Sequence, residues 1–541
     1  VIRDDLAAAL ADALSRVGVE PPPSIHLEQP ARREHGDWSS NVAMATAKAA
    51  GRPPRDLAVQ LVDVLAAQLP AHVSRVEVAG PGFVNFHLAP TWLHDVLADV
   101  IALGDDGYAR PEVGGGRRVM VEFVSANPTG PLHAGHARGA AYGDSLARIL
   151  ERSGHDVARE FYINDRGVQM AKFGESIAAR AAGTEVPEDG YRGAYIATWA
   201  EGLGEGDDPT EFGYQRALAD QREVLESFGV HFDAWFSERS MVDSGAIDRT
   251  LADLRARGAV DERDGAVWLR ATDFGGGEDR VLVKSSGEPT YLLPDIAYHR
   301  DKLERGFDLV IDVWGADHHD HVQRVRAGLA ALGYDTARFE VALIQLVKLM
   351  RGGEEVKISK RTGDLIELRD LIEEVGTDAT RFTYLLQSVD SSQTVDLGLI
   401  ISRTMENPVF YVQMAHARLC SIERKASGAG VERRPFGEVT LGDLVHEREL
   451  ELLRGLFDLP ATVELAARER APHKVTNWLR ELAGAVHGFY HDCPVLRSDV
   501  PDDLRQARLW LVAAAAIGLR IGLDLLGVSA PSAMAELGDT P

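Results

Sequence analysis

The chain has 541 residues, too many for one hydrophobic core, so about two to four domains are expected. Hydrophobic residues make up 45% and charged residues 26%, which excludes a disordered or fibrous chain, and the net charge of −25 argues against general affinity for polyanions. The two cysteines, Cys420 and Cys493, supply neither a disulfide framework nor a cysteine zinc knuckle.

At the N-terminus, Asp4 and Asp5 precede Leu6, Leu10, Leu14 and Val17 at helical spacing, and a second helix is expected after Pro53 and Pro54. The chain does not open on a basic head followed by an apolar stretch and a cleavage site, so a cytoplasmic location is expected. Val73 to Ala79 and Phe83 to Leu88, separated by Gly80-Pro81-Gly82, read as a hairpin and give a small α+β domain over 1–110. Next, Val119 to Val124 reads as a strand that runs through the loop Ser125 to His133 into a helix reaching about Ser153. Strand-like runs recur at Val281 to Lys284, Asp308 to Trp314 and Glu340 to Leu349. This alternation predicts an α/β domain over 111–365, a doubly wound parallel sheet of Rossmann type with ligands beyond the C-terminal ends of its strands. The stretch from about 165 to 270 reads as a mostly helical insertion. From about Leu365 the pattern is helical, interrupted at Lys425 to Thr440, and predicts an α-helical bundle over 366–541. The apolar run Leu509 to Leu519 is about half a membrane span and reads as a buried helix, so no membrane partner is expected.

The segment Gly130 to Ala137, GPLHAGHA, has the glycine spacing of a P-loop but carries His and Ala where that motif needs Lys and Ser or Thr. It does place His133 and His136 three residues apart at the start of a helix, where free backbone N–H groups suit a triphosphate. Glycine at 135 would let a nucleotide approach the backbone. The competing reading is a histidine helix cap beside a solvated neighbour. Downstream, Lys357-Ile358-Ser359-Lys360-Arg361 follows Gly352-Gly353, and its two lysines can meet a departing pyrophosphate, or can simply form an exposed basic turn.

Together, HAGH and KISKR resemble the paired His-Ile-Gly-His and Lys-Met-Ser-Lys-Ser signatures of class I aminoacyl-tRNA synthetases. The wider sequence resembles arginyl-tRNA synthetases of the bacterial type, in SANPTGPLHAGHARGAAYGD, in Tyr291 through Asp295 to Tyr298 and His299, in GADHH at 315–319 and in NPVFYVQMAHAR at 407–418. The resemblance implies an arginine–tRNA ligase that uses ATP with Mg2+, no protein-bound zinc, L-arginine and tRNA(Arg), and works as a monomer. It makes 111–365 the catalytic domain, 1–110 the module that meets the tRNA elbow, and 366–541 the stem-contact and anticodon-binding region.

By the same resemblance, His133, His136, Lys357 and Lys360 are catalytic, and Gly135, Gly315, Asp317, His318 and Ser359 hold ATP. A guanidinium is best held by a carboxylate in bidentate geometry, which Asp295 offers one helical turn after Tyr291, although Asp295 could also be a helix cap after Pro294. Glu122 would pair with the α-amino group, Ser125 and Asn127 would orient the carboxylate, and Tyr298 and Gln323 would complete the arginine site. Asp320 departs from the family, where glycine is common. A metal cluster of His318, His319, His321, Asp317 and Asp320 is a competing reading. On the tRNA side, Arg403, Asn407 and Tyr411 are placed on one helix with Gln413, Met414 stands where relatives carry tyrosine, and Phe83 and Asn85 are placed against a D-loop base, with a core-packed Phe83 as the competitor. A catalytically silent tRNA-binding paralogue and another class I synthetase are the alternative functions.

Overall fold

The computed structural model describes residues 2–30, 32–356 and 366–534. The chain falls into two compact units, Val1–Gly104 with Ile422–Phe457 and Gly488–Ala515, and Asp105–Ser421 with Asp458–His487 and Ala516–Pro541.

In the first unit, helix Ile2–Arg16 buries Leu6, Leu10 and Leu14 and carries Asp4 and Asp5 in its first turn, at the positive end of its dipole. Helix Pro54–Ala67 starts on a proline, whose missing N–H costs nothing there. Val73–Ala79 and Phe83–Leu88 pair antiparallel as expected. Gly82 turns the chain at φ 145°, and a Cβ there would lie 3.0 Å from the Pro54 carbonyl carbon. A short strand, Trp38–Ser40, extends this hairpin to three strands. Trp92 packs edge-on against Phe457 at 4.8 Å, and Arg508 pairs with buried Glu449 at 2.7 Å.

The second unit holds a five-stranded parallel sheet in the order Phe339–Ile344, Leu309–Gly315, Arg118–Glu122, Asp156–Ile163, Ala234–Ser237. The chain steps outward from Arg118–Glu122 in one direction and later returns to its other side at Leu309–Gly315. The topological switch point therefore lies between these two strands, where a doubly wound sheet opens a crevice. Val119, Met120, Val121, Val310 and Ile311 are buried, because helices cover both faces.

Several strand expectations need correction. Arg280–Val283 lies in a separate antiparallel sheet with Val260–Arg263 and Ala266–Leu269, since a run that short carries no information about its partner. Glu340 to Leu349 divides into Phe339–Ile344 of the main sheet and Val347–Arg351, which pairs with Glu354–Val356 and Gln393–Asp396. The strands Asp156–Ile163 and Ala234–Ser237 escaped the sequence reading, the first because Asp156, Arg159 and Glu160 break its apolar pattern. Helices Val168–Ala181, Ala194–Ala200, Pro209–Ser227, Glu238–Asp243 and Ala246–Ala256 fill most of the inserted stretch. Towards the C-terminus run the long helices Pro408–Gly428, Glu447–Glu469, His473–Asp492 and Asp502–Leu525. Among the described residues, no helix is long and apolar enough to cross a membrane.

Candidate active site

Three neighbouring strands of the parallel sheet place acidic residues in register: Asp312 pairs with Glu122, and Glu122 with Glu160. All three are buried, which is costly unless cations neutralise them. Helix Leu292–Glu304 and the residue after it supply those cations. The Lys302 ammonium, fully buried, contacts Glu122 Oε2, lies 2.8 Å from Asp312 Oδ1, and sits 4.2 Å over the Tyr298 ring. Arg305 forks onto Glu160 at 2.6 and 2.8 Å, and the Tyr298 hydroxyl donates to the same carboxylate at 2.7 Å. His299 meets Asp312 at 2.6 Å. Burial drives the Glu122 carboxyl above its usual range against the pull of Lys302. Burial also pushes Asp312 up, but Lys302 and His299 outweigh it and hold that carboxyl below its usual range. Glu122, His299 and Asp312 bring ligand-type atoms within 4.8 Å of one another, but the Lys302 ammonium already lies among them, so the cluster is balanced by the chain's own cation.

Two residues named for arginine, Glu122 and Tyr298, belong to this layer. Glu122 accepts the Ser125 hydroxyl on Oε1 at 2.7 Å and meets Lys302 through Oε2. Tyr298 is buried, with its hydroxyl on Glu160. Beyond Glu122 the backbone turns through Val124 and Ser125 at φ 70° and 43°, left-handed values that a β-branched residue rarely adopts. Ser125 Oγ also accepts the Tyr162 N–H at 3.2 Å, and the following loop is pinned by Gln221, which donates to the carbonyls of Asn127 and Gly130 at 3.0 Å. Asn127 itself is exposed and donates to Gln169 at 3.0 Å.

The loop delivers His133 to the N-cap of helix Ala134–Arg152. Gly135 N–H donates to His133 Nδ1 at 3.1 Å, and His133 N–H donates to His136 Nδ1 at 3.1 Å. With both Nδ1 atoms accepting, each neutral ring carries its proton on Nε2, so both imidazoles are Nε2–H donors at the positive end of a helix. The rings lie 3.8 Å apart. Capping and ligand binding are thus compatible here. A Cβ at Gly135 would lie 2.9 Å from the His133 ring, a second reason for glycine besides nucleotide approach. Backbone bonds from Ala134 to Ile366 at 2.9 Å and from Leu368 to Leu132 at 2.8 Å tie this turn to the chain beyond residue 365. Lys357, Ser359 and Lys360 lie outside the described residues.

Asp295 lies in the first turn of helix Leu292–Glu304, which begins ahead of Pro294, so it does not act as the cap. Its side chain is 31% exposed, and Oδ2 meets His321 Nε2 at 2.6 Å. Tyr291, one turn earlier, is 83% exposed. Glu238 takes a hydrogen bond from the Tyr162 hydroxyl and feels the charge of Asp295; burial, foremost, raises its carboxyl above the usual range. Gly315, Asp317, His318 and Asp320 are exposed around the end of strand Leu309–Gly315, as is Gln323 on the next helix. From that helix it is His321 that reaches Asp295.

Three family models divide the chain: an arginyl tRNA synthetase N-terminal domain over 2–88, a class I (R) tRNA synthetase catalytic domain over 100–181 and 219–419, and a DALR anticodon binding domain over 412–534. The arginine–tRNA ligase of Moorella thermoacetica is 48% identical over 98% of this chain and 97% of its own length. The chain belongs to the arginyl-tRNA synthetase family. The Bacillus subtilis arginine–tRNA ligase is 45% identical over 95% of both chains. The solved arginyl-tRNA synthetase of Thermus thermophilus superposes with a TM-score of 0.73 at 26% identity, covering 99% of this chain and all of its own.

The structure also locates the residues named for tRNA. Phe83 is half-buried, and Asn85 is buried with Oδ1 accepting the Ser39 hydroxyl at 2.7 Å. Arg403 is exposed but precedes helix Pro408–Gly428, which corrects its placement on that helix. Asn407 is buried as the cap: its amide donates to the Ile400 and Ser402 carbonyls at 2.9 and 2.7 Å, and its Oδ1 accepts the Val409 N–H at 3.2 Å. Tyr411 lies edge-on to His487 at 4.5 Å and lines a surface cavity of about 470 Å³ with Met405, Asn477 and Arg480.

Proposed function

We propose that this chain activates L-arginine with ATP and transfers it to the 3′ end of tRNA(Arg), acting as a monomer in the cytoplasm. One observation carries the arginine assignment. Asp312, Glu122 and Glu160 each meet a cation of the chain, whereas the Asp295 carboxylate, at the mouth of the same helix, meets His321 and, among the described residues, no lysine or arginine. A guanidinium supplies the missing charge in the planar geometry a carboxylate prefers, and the exposed Tyr291 ring offers it a face.

The arginine carboxylate attacks the α-phosphorus of ATP, which arrives with Mg2+ as part of that substrate, and pyrophosphate leaves. The acyl group then passes to a ribose hydroxyl of the terminal adenosine. Positioning and charge stabilisation carry such chemistry, so no covalent enzyme nucleophile is required. The Nε2–H groups of His133 and His136 donate to the phosphates, and Lys357 and Lys360 of KISKR add positive charge as it is needed. Gly135 and Ser359 also serve the nucleotide, Gly315, Asp317 and His318 its ribose, and Ser125, Asn127 and Gln323 the arginine. Phe83, Arg403 and Tyr411 are the surface groups proposed for tRNA; Asn85 and Asn407 shape those surfaces from beneath.

Charging bulk tRNA with each proteinogenic amino acid in turn tests the proposal. Incorporation of arginine alone, with arginine-dependent ATP–pyrophosphate exchange, is expected. Charging with another amino acid would replace arginine as substrate, and tRNA binding without exchange would favour a silent paralogue.

A further inference from the structure

His321 stands in the first turn of helix His319–Ala331, and Asp295 in the first turn of helix Leu292–Glu304. These helices approach closely, because a Cβ at Gly328 would lie 2.3 Å from Ile296 Cδ1. That contact fixes the spacing over which His321 Nε2 reaches Asp295 Oδ2, 2.6 Å away. The Trp314 ring, 5.7 Å from the imidazole, packs beside it. An ionised carboxylate only accepts hydrogen bonds, so the proton between them belongs to Nε2.

The torsion that orients an aspartate carboxylate is broad, so a carboxylate held by nothing samples many planes. A guanidinium fork needs one plane. We infer that His321 is a positioning residue for arginine: its Nε2–H holds the Asp295 carboxylate in the plane that the substrate guanidinium meets, leaving Oδ1 and the remaining acceptor capacity of Oδ2 to the substrate. The inference rests on the reading of Asp295 given above. Among the described residues Gln323, two residues on, makes no hydrogen bond with Asp295, and Glu238 acts on Asp295 through charge, so the geometric constraint from this side comes from His321. Its side chain is 21% exposed and makes no contribution to the buried acid layer, so it can be replaced without opening the core.

Four variants of the full chain test this in tRNA charging with arginine and ATP varied separately. H321F keeps a ring and removes the donor; H321Q keeps an N–H donor near the position of Nε2. H321F is expected to raise the arginine KM about tenfold, with ATP KM and kcat changed less than about twofold, and H321Q to stay within about threefold of the parent. In a D295N background, H321F should add less than about twofold, because the carboxylate it orients is gone. An unchanged arginine KM in H321F, with D295N still impaired, would overturn the positioning role and leave the Asp295 reading intact. An unchanged arginine KM in D295N would overturn that reading. Equal rises in arginine KM and ATP KM together with a lowered Tm, with no rescue by glutamine, would make His321 a packing residue and also overturn the inference.

Discussion

Replacing Lys302 with methionine removes the cation shared by Glu122 and Asp312 while keeping most of the side-chain volume. At 2.8 Å and an effective dielectric of about 20, the attraction to Asp312 alone is roughly 6 kcal/mol before desolvation is counted. Desolvating the buried charges offsets most of that, so the intact cluster contributes little net stability. Its removal is a different matter, since two buried carboxylates then lack their cation, a loss of about 3–5 kcal/mol. Because the unit that holds Lys302 is larger than a typical domain, the scale is roughly 1–1.5 °C per kcal/mol, and Tm should fall by about 3–8 °C. The loss should also depend on pH. Without Lys302, the folded-state pKa of Glu122, already raised by burial, rises further above its unfolded value. The contribution of such a group is fully present below the unfolded pKa and lost as pH rises through the folded one, so the deficit of the variant should narrow towards acid pH. Calorimetric melting of K302M and parent at pH 7 and pH 5 reads both effects. A Tm fall under about 2 °C at pH 7, or a deficit that ignores pH, would refute the reasoning.

Gly135→Ala forces a Cβ against the His133 ring, and should raise the ATP KM about tenfold or more in ATP–pyrophosphate exchange while far-UV circular dichroism stays unchanged. Glu238→Gln removes a negative charge felt by Asp295 and should raise the arginine KM about tenfold, with a smaller effect on ATP. Burial pushes the Asp144 carboxyl up, but Arg381, Arg148 and Arg159 outweigh it and hold it below its usual range. A depressed carboxylate stabilises above its unfolded pKa and loses that contribution as pH falls through the folded one, so Asp144→Asn should cost about 3 kcal/mol at pH 7, with the gap to the parent shrinking below about pH 4 in denaturant titrations.

Much of the fold was legible because it was written in period and punctuation. Leu6, Leu10 and Leu14 recur at helical spacing, and Gly80-Pro81-Gly82 between two β-rich runs permits little besides a hairpin. The strand order was less accessible, since Asp156–Ile163 carries charges where a buried parallel strand is expected to be apolar. Those charges are the reason it was missed and the reason it matters: Glu160 is one of the three acids in the buried layer. The signal for that layer was present on helix Leu292–Glu304, where Tyr291, Asp295, Tyr298, His299 and Lys302 follow three- and four-residue spacing. What spacing could not reveal was depth. It did not distinguish Asp295, at the mouth, from Glu122, matched by its own lysine beneath, because that depends on which strand lies central in the sheet. Likewise, HAGH pointed to phosphate, but the tautomers of His133 and His136 follow from the cap geometry. The contact of His321 with Asp295 joins two helices through residues 26 apart in the chain and had no local signature.

The assignment of Asp295 to the guanidinium is tested most directly by a structure of the chain with arginine bound. The guanidinium should lie within hydrogen-bond reach of Asp295, against the Tyr291 ring, with the α-carboxylate directed towards His133 and His136. Arginine seated elsewhere, with Asp295 left to His321 alone, would contradict it.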